Sequence, residues 1–228
     1  DAAAASAVLA LYEGRLDQNA RGALLMREFL GQFGAEVRDA GALFAVAFDA
    51  NDPVGTPRTL APHAGADPDP MVIALGRAAQ KLTQAGLALD ATLGEAQFTV
   101  KAGEAIPITG GGSLEGVTNL VTFGDLNSTL LPRLEQEEVI TAGTYLTTAG
   151  YLVNYGTSFI MVMEFTDQGP RAEALLTSGQ SPNPESPYHA DQTKLFSDKQ
   201  FRPVRFREAD ILADPAYSEF SVSGPRDN

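Results

Sequence analysis

The chain has 228 residues, 16 Lys+Arg against 29 Asp+Glu, a net charge of −13 and 44% hydrophobic residues. That length supports one large domain or two small ones with a sizeable core, and the acidic balance disfavours binding to a phosphate backbone. It has no cysteine, which excludes disulfides, thiolate zinc sites and cysteine nucleophiles.

Alanine dominates residues 2–13, which read as a helix stopped by Gly14. The opening "DAAAASAVLALYEGRLD" has no basic n-region and is not read as a signal peptide. "LDQNARGALLMREFLGQFG" reads as a second helix, capped by Asp17 or Asn19, with Leu25, Phe29 and Phe33 at four-residue spacing. Residues 49–66 hold three prolines and two glycines and read as loop. "DPDPMVIALGRAAQKLTQAG" carries the strongest helix signal: Asp69 at the cap, Pro70 at the first helical position and Gly86 at the end.

Strand signals then take over. "EAQFTVKAGEAIPITGGG" reads as two strands around Ala102-Gly103 and a glycine loop, and "GVTNLVTFG" as a further strand. Residues 125–139 are polar and read as loop or short helix. "SFIMVMEF" belongs to a pair of strands turning at Asp167–Pro170. It is apolar at both alternating sets of positions, which predicts a strand covered on both faces. No apolar run is long enough to span a membrane. Helices first and strands later give an α+β class, divided at residue 90 into a mainly helical segment, 1–90, and a strand-rich segment, 91–228.

Several stretches invite a chemical reading and fail it. Gly110–Gly112 is followed by "SLEG" and not by the Lys-Ser/Thr pair of a phosphate loop. His63 lies near Asp67 and Asp69, but a metal site needs more converging ligands than that loop offers. The acidic cluster "LEQEEVI" lacks calcium-loop spacing and reads as a solvated face. Ser158 and Ser178 have no G-x-S-x-G context, and a triad would have to take His63 or His189 as its base. No catalytic residue and no metal ligand is therefore assigned in this chain.

"SGQSPNPESPYHADQTKLFSDKQFRPVRF", from Ser178 to Phe206, holds three prolines within six residues. Ser186-Pro187 reads as a helix start, with Gln192, Leu195 and Phe196 turned inward. Gln180, Ser181, His189, Asp191 and Gln192 read as structural support for a corner next to the core. Buried polar groups at such a corner need hydrogen-bond partners.

These residues also carry a resemblance. Gly156, Ser158-Phe159, Gln180-Ser181, Ser186-Pro187, Asp191-Gln192, Pro203 and Phe206 resemble the end of penicillin-acylase-family enzymes, with Tyr188-His189 where that family reads His-Tyr. "NARGALLMREFLGQF", "LFAVAFDANDPVGTPRTL" and "TLGEAQFTVKAGEAIPITGGGSLEGVTNLVTF" resemble the branch of acyl-homoserine-lactone and aculeacin acylases. The resemblance implies an N-terminal-nucleophile hydrolase with a four-layer αββα core. Such enzymes are cut by autoproteolysis into an α and a β subunit, act without a cofactor, and are exported to the bacterial periplasm or secreted. A chain opening at Asp1 lacks the Ser-led β terminus, and Asn119 and Asn154 lack the context of the family's oxyanion asparagine. The expectation is thus the C-terminal part of a β subunit, partnered by the α subunit and by the Ser-led N-terminal part of β, with an acyl amide as substrate. N-acyl-homoserine lactones lead. A β-lactam or cyclic-lipopeptide acylase, or a stand-alone acidic binding domain, are the alternatives.

Overall fold

The computed structural model describes residues 2–34, 43–65, 68–112, 115–124, 139–141 and 145–224, the side chains of 139–141 excepted. Helix α1 spans Ala2–Leu9, α2 Ala23–Leu30 and α3 Pro70–Gln84. The α3 boundaries are the predicted ones. The Asp69 carboxylate accepts the Met71 N–H at 2.8 Å, Pro70 follows, and Gly86 takes φ 74 so that the Leu87 N–H reaches the Leu82 carbonyl. Helix α2 starts later than predicted. Asp17 instead closes a turn by accepting the Asn19 N–H, and Gly22 at φ 83 is the residue before α2. A left-handed backbone there cannot continue a helix from residue 19.

A one-turn helix, α4 at Leu93–Ala96, leads into the sheets. Thr92 and Glu95 form a capping box, the Thr92 N–H donating to Glu95 Oε2 at 2.5 Å. The Thr-x-x-Glu spacing carries this signal in the sequence, and the sequence reading did not extract it.

A short pair joins β1 (Phe44–Val46) to β2 (Arg58–Leu60), and β2 lies in the stretch predicted as loop. Next come β3 (Gln97–Lys101), β4 (Glu104–Pro107), β5 (Val121–Phe123), β6 (Val139–Thr141), β7 (Leu146–Thr147) and β8 (Tyr151–Gly156). The order β4-β3-β8-β5 makes a four-stranded sheet. Strands β9 (Phe159–Thr166) and β10 (Gly169–Leu176) form a hairpin in full register and add β11 (Arg202–Pro203) beyond β10. The class is α+β, as predicted. The polar stretch 125–138, with most of the acidic cluster, lies outside the described residues.

Two apolar clusters hold these elements. The larger joins Leu24, Leu25, Phe29, Ala78 and Leu82 of the helices to Leu93, Leu146 and Tyr151, so it crosses residue 90. The smaller joins Ile108, Val121, Val153, Leu175 and Phe196. Strand β9 departs from expectation: Phe159, Met161, Val162, Met163 and Phe165 are all exposed, on both faces. It is an edge of the three-stranded sheet, and among its apolar side chains only the partly buried Ile160 packs against a described cluster. An open, apolar edge of this kind is a template for pairing.

Candidate functional site

The proline corner follows β10. Gly179, at φ +77, turns the chain, and the Gln180 and Ser181 N–H groups both donate to the Tyr188 carbonyl at 3.0 and 3.1 Å. The helix then starts four residues later than Ser186-Pro187 predicts: α5 spans Asp191–Ser197, with Ala190 at its cap. Ser186 closes a turn instead, its hydroxyl accepting the Tyr188 N–H and its carbonyl the His189 N–H. Short Ser and Asn side chains that bond the backbone two residues on favour such turns over helix.

The five expected support residues divide by environment. Gln192 is buried, and its Oε1 accepts the Leu176 N–H at 2.8 Å, which fixes α5 to the end of β10. His189 is half-buried, with Nδ1 2.9 Å from the Ser181 carbonyl. A carbonyl only accepts, so Nδ1 carries the proton and a neutral ring presents Nε2 as an acceptor. Ser181 takes part through its backbone and through its hydroxyl, which accepts the Asn183 N–H. Gln180 is exposed, and its side chain bonds no described residue. Asp191 has a buried Oδ1 with no partner. From the far end of the chain, Gln18 Nε2 donates to both the carbonyl and the hydroxyl of Ser197, tying residues 17–20 to α5.

Beside this corner lies a cleft of about 560 Å³. Ile108, Val121, Val153 and Phe196 give it an apolar floor, and Lys101, Asn119, His189 and Thr193 are among its polar lining. Lys101 Nζ donates to the Ser178 carbonyl at 2.9 Å, and burial holds its ammonium below the usual lysine range. Asn119 Oδ1 and Thr193 Oγ1 are buried without a partner. No hydroxyl among the described residues pairs with His189, so the cleft assembles no Ser-His nucleophile.

The sequence reading missed a second polar assembly, under the helices. Arg27, 5% exposed, donates from Nε to Glu115 Oε1 at 3.0 Å and from Nη2 to Gln97 Oε1 at 2.7 Å. Its guanidinium lies 4.7 Å from the Phe123 ring centre and 4.6 Å from that of Tyr151. Gln97 Nε2 donates to the carbonyls of Ile108 and Gly110. Tyr151 donates its hydroxyl to Glu28 Oε1 at 2.5 Å. Glu28 Oε2 has only Lys81 at 3.7 Å, an ion contact too long for a hydrogen bond. Burial first, then the Glu28 charge, raises Tyr151 well above the usual tyrosine range; burial and then Glu115 raise Tyr12. The only advance signal was that Arg27 and Glu28 fall within one turn of the buried Leu24, Leu25 and Phe29.

This network also explains the triple glycine. The Gly110 N–H donates to the Leu16 carbonyl, Gly111 to that of Asn119, and Gly112 to Glu115 Oε2 at 2.6 Å. All three N–H groups are used within the protein, leaving none to cradle a phosphate. His63 is exposed, and no group of three or more metal-ligating side chains gathers among the described residues.

A penicillin amidase family model matches residues 1–213. The acyl-homoserine lactone acylase PvdQ of Pseudomonas syringae pv. syringae (strain B728a) is 31% identical over 217 residues, covering 95% of this chain and 25% of that protein. Aculeacin-A acylase of Actinoplanes utahensis is 31% identical over 228 residues, covering 98% of this chain and 24% of that protein. The chain thus spans about a quarter of the length of the curated relatives it matches. A thermostable penicillin G acylase from Alcaligenes faecalis superposes at a TM-score of 0.39 with 18% identity, covering all of this chain and 44% of that one, a likeness too low to carry an argument.

Proposed function

The chain belongs to the penicillin amidase family, and from that premise we propose that it is part of an amidohydrolase that removes the acyl chain of N-acyl-homoserine lactones. The observation that carries the reading is similarity along nearly the whole chain to acyl-homoserine lactone acylases, at 30–31% identity over as much as 98% of it. The nucleophile, a serine heading the family's large subunit, lies outside residues 1–228. The serine oxygen attacks the amide carbon, the C–N bond breaks, the amine leaves with a proton, and water hydrolyses the acyl-enzyme. No cofactor enters these steps.

In this reading the chain supplies the C-terminal part of a four-layer αββα core. The Ser-led part of the β subunit and the α subunit supply the rest, after self-cleavage of an exported precursor in the periplasm or outside the cell. The bare faces of β9 fit that role, because a strand apolar on both sides needs cover on both sides. Gln192, His189 and Ser181 act as architecture that holds the corner between β10 and α5.

The test is product analysis on the full-length protein. Mass spectrometry of an N-acyl-homoserine lactone digest is expected to show a free fatty acid and homoserine lactone with a new primary amine. A ring-opened product with the amide intact, or activity restored only by added zinc, defeats the reading. Deacylation of a cyclic lipopeptide is the second reading, favoured by the 31% identity to aculeacin-A acylase over 98% of the chain. Cleavage of the lipopeptide with lactones untouched keeps the family and selects that substrate class.

A further inference from the structure

We infer that the cleft between β3 and β8 is a strand-wide gap in the sheet, and that an extended segment of the parent polypeptide outside residues 1–228 inserts there as a β-strand. The inference rests on the reading of the chain as part of a larger acylase. Strands β3 and β8 run parallel, but their ladder holds only two pairs, Gln97↔Tyr151 and Phe98↔Leu152. Beyond that point β3 continues to Lys101 and β8 to Gly156, with the cleft between them.

The phase of the β3–β4 ladder says which backbone groups face the gap. The hairpin turns on Ala102 and Gly103, both at positive φ, so Lys101↔Glu104 is its closing pair. Hydrogen-bonded pairs alternate from there through Thr99↔Ile106, and the Ile108 N–H donating to the Gln97 carbonyl at 3.0 Å keeps that phase. Phe98 and Val100 therefore turn their N–H and C=O groups away from β4. Pro107 agrees, since it sits opposite Phe98, where β4 needs no N–H. Phe98 meets β8, whereas Val100 has no partner strand on that side among the described residues.

Unpaired backbone inside a sheet is costly, and strand addition is the usual way to satisfy it. The size fits. A strand residue fills about 160 Å³ at a 3.3 Å rise, ~4.8 Å strand spacing and ~10 Å between stacked layers. At that density the cleft's 560 Å³ takes about three to four residues. The gap also offers Thr193 Oγ1, on a side chain 1% exposed, and Asn119 Oδ1, both buried without partners. An inserted backbone supplies what these groups lack. A strand is favoured over a small molecule because β3 and β8 flank the cleft, with the corner and α5 closing it, and because the relatives carry roughly three times this chain's length beyond the matched quarter.

The experiment is hydrogen–deuterium exchange on the full-length protein, with fragmentation that isolates the Val100 amide. Insertion predicts exchange slowed by about 100-fold or more relative to an unprotected amide. Free exchange, or protection lost on dialysis of a small molecule, overturns the inference. In the same protein, Val100→Pro removes one inserted-strand bond without touching the β4 ladder, and is expected to lower the thermal midpoint by several degrees. Val100→Thr is expected to leave it unchanged. An unaltered Val100→Pro midpoint overturns the inference, and if that variant does not fold, the wild-type exchange result decides. Product analysis is read separately. An active acylase with a freely exchanging Val100 loses the strand and keeps the function; a protected Val100 without amide cleavage does the reverse.

Discussion

Replacing Arg27 with methionine tests whether the buried network is held by its charges. Methionine keeps apolar volume between the rings of Phe123 and Tyr151 but removes the donors at 3.0 Å from Glu115 and 2.7 Å from Gln97. Glu115, with a side chain 7% exposed, then keeps only the Gly112 N–H, and Gln97 Oε1 becomes a buried acceptor with no donor. Removing one partner of a buried ion pair costs about 3–5 kcal/mol, because the remaining charge stays desolvated. Urea unfolding of the full-length protein, followed by circular dichroism, measures the loss. A second replacement, Glu115→Leu, removes the stranded charge, so the double variant should be more stable than the sum of the single losses by roughly 1–3 kcal/mol. A loss below about 1 kcal/mol for Arg27→Met, or strict additivity in the double variant, refutes the argument.

Three further outcomes follow from individual contacts. Gln192→Leu strands the Leu176 N–H at the end of β10 and should cost about 1–3 kcal/mol, whereas Gln180→Ala, at an exposed side chain, should stay within about 0.5 kcal/mol; matched urea curves compare the two. Gly179→Ala places a methyl group against the His189 carbonyl at a φ of +77, so the left-handed backbone alone should cost roughly 1–2 kcal/mol, read as a lower thermal midpoint. Burial and then the Glu28 charge hold the Tyr151 hydroxyl well above the ordinary tyrosine pKa of about 10 in the folded state. Its contribution is therefore complete below that value and is lost as pH rises toward the folded pKa, at about 1.4 kcal/mol per pH unit. Unfolding measured between pH 10 and 11 should show stability falling by about 1 kcal/mol as the slope approaches this limit, a fall flattened in Tyr151→Phe.

What the sequence disclosed was local. Asp69, Pro70 and Gly86 bound α3 because a cap, a first-turn proline and a left-handed glycine each act on neighbouring backbone. Ala102-Gly103 marked the β3–β4 turn for the same reason. The start of α5 was misjudged because Ser186 satisfies a turn as well as a helix cap, and only Gln192 reaching Leu176, sixteen residues away, fixes the later start. The Arg27 network was not legible at all. Its members lie 70 to 123 residues apart along the chain, and periodicity cannot distinguish a charged residue beside a buried stripe from one inside it.

Strand β9 and Val100 extend that argument from residues to layers. In both, the sequence prescribes more cover than the described residues provide: apolar side chains on two faces in one case, an open backbone position in the other. A sequence pattern reports the environment a segment is selected for, and an excess of that environment over the contacts present locates the surfaces where further polypeptide belongs. The centre of the helical side has no such excess, although Leu11, Val72 and Ile73 stay exposed at its surface. Leu24, Leu25 and Leu82 are fully enclosed by neighbours within the chain. In the proposed assembly the sheets are therefore where completion falls, and a strand inserted beside Val100 and a layer laid over Phe159, Met161 and Val162 would belong to the same body of further polypeptide.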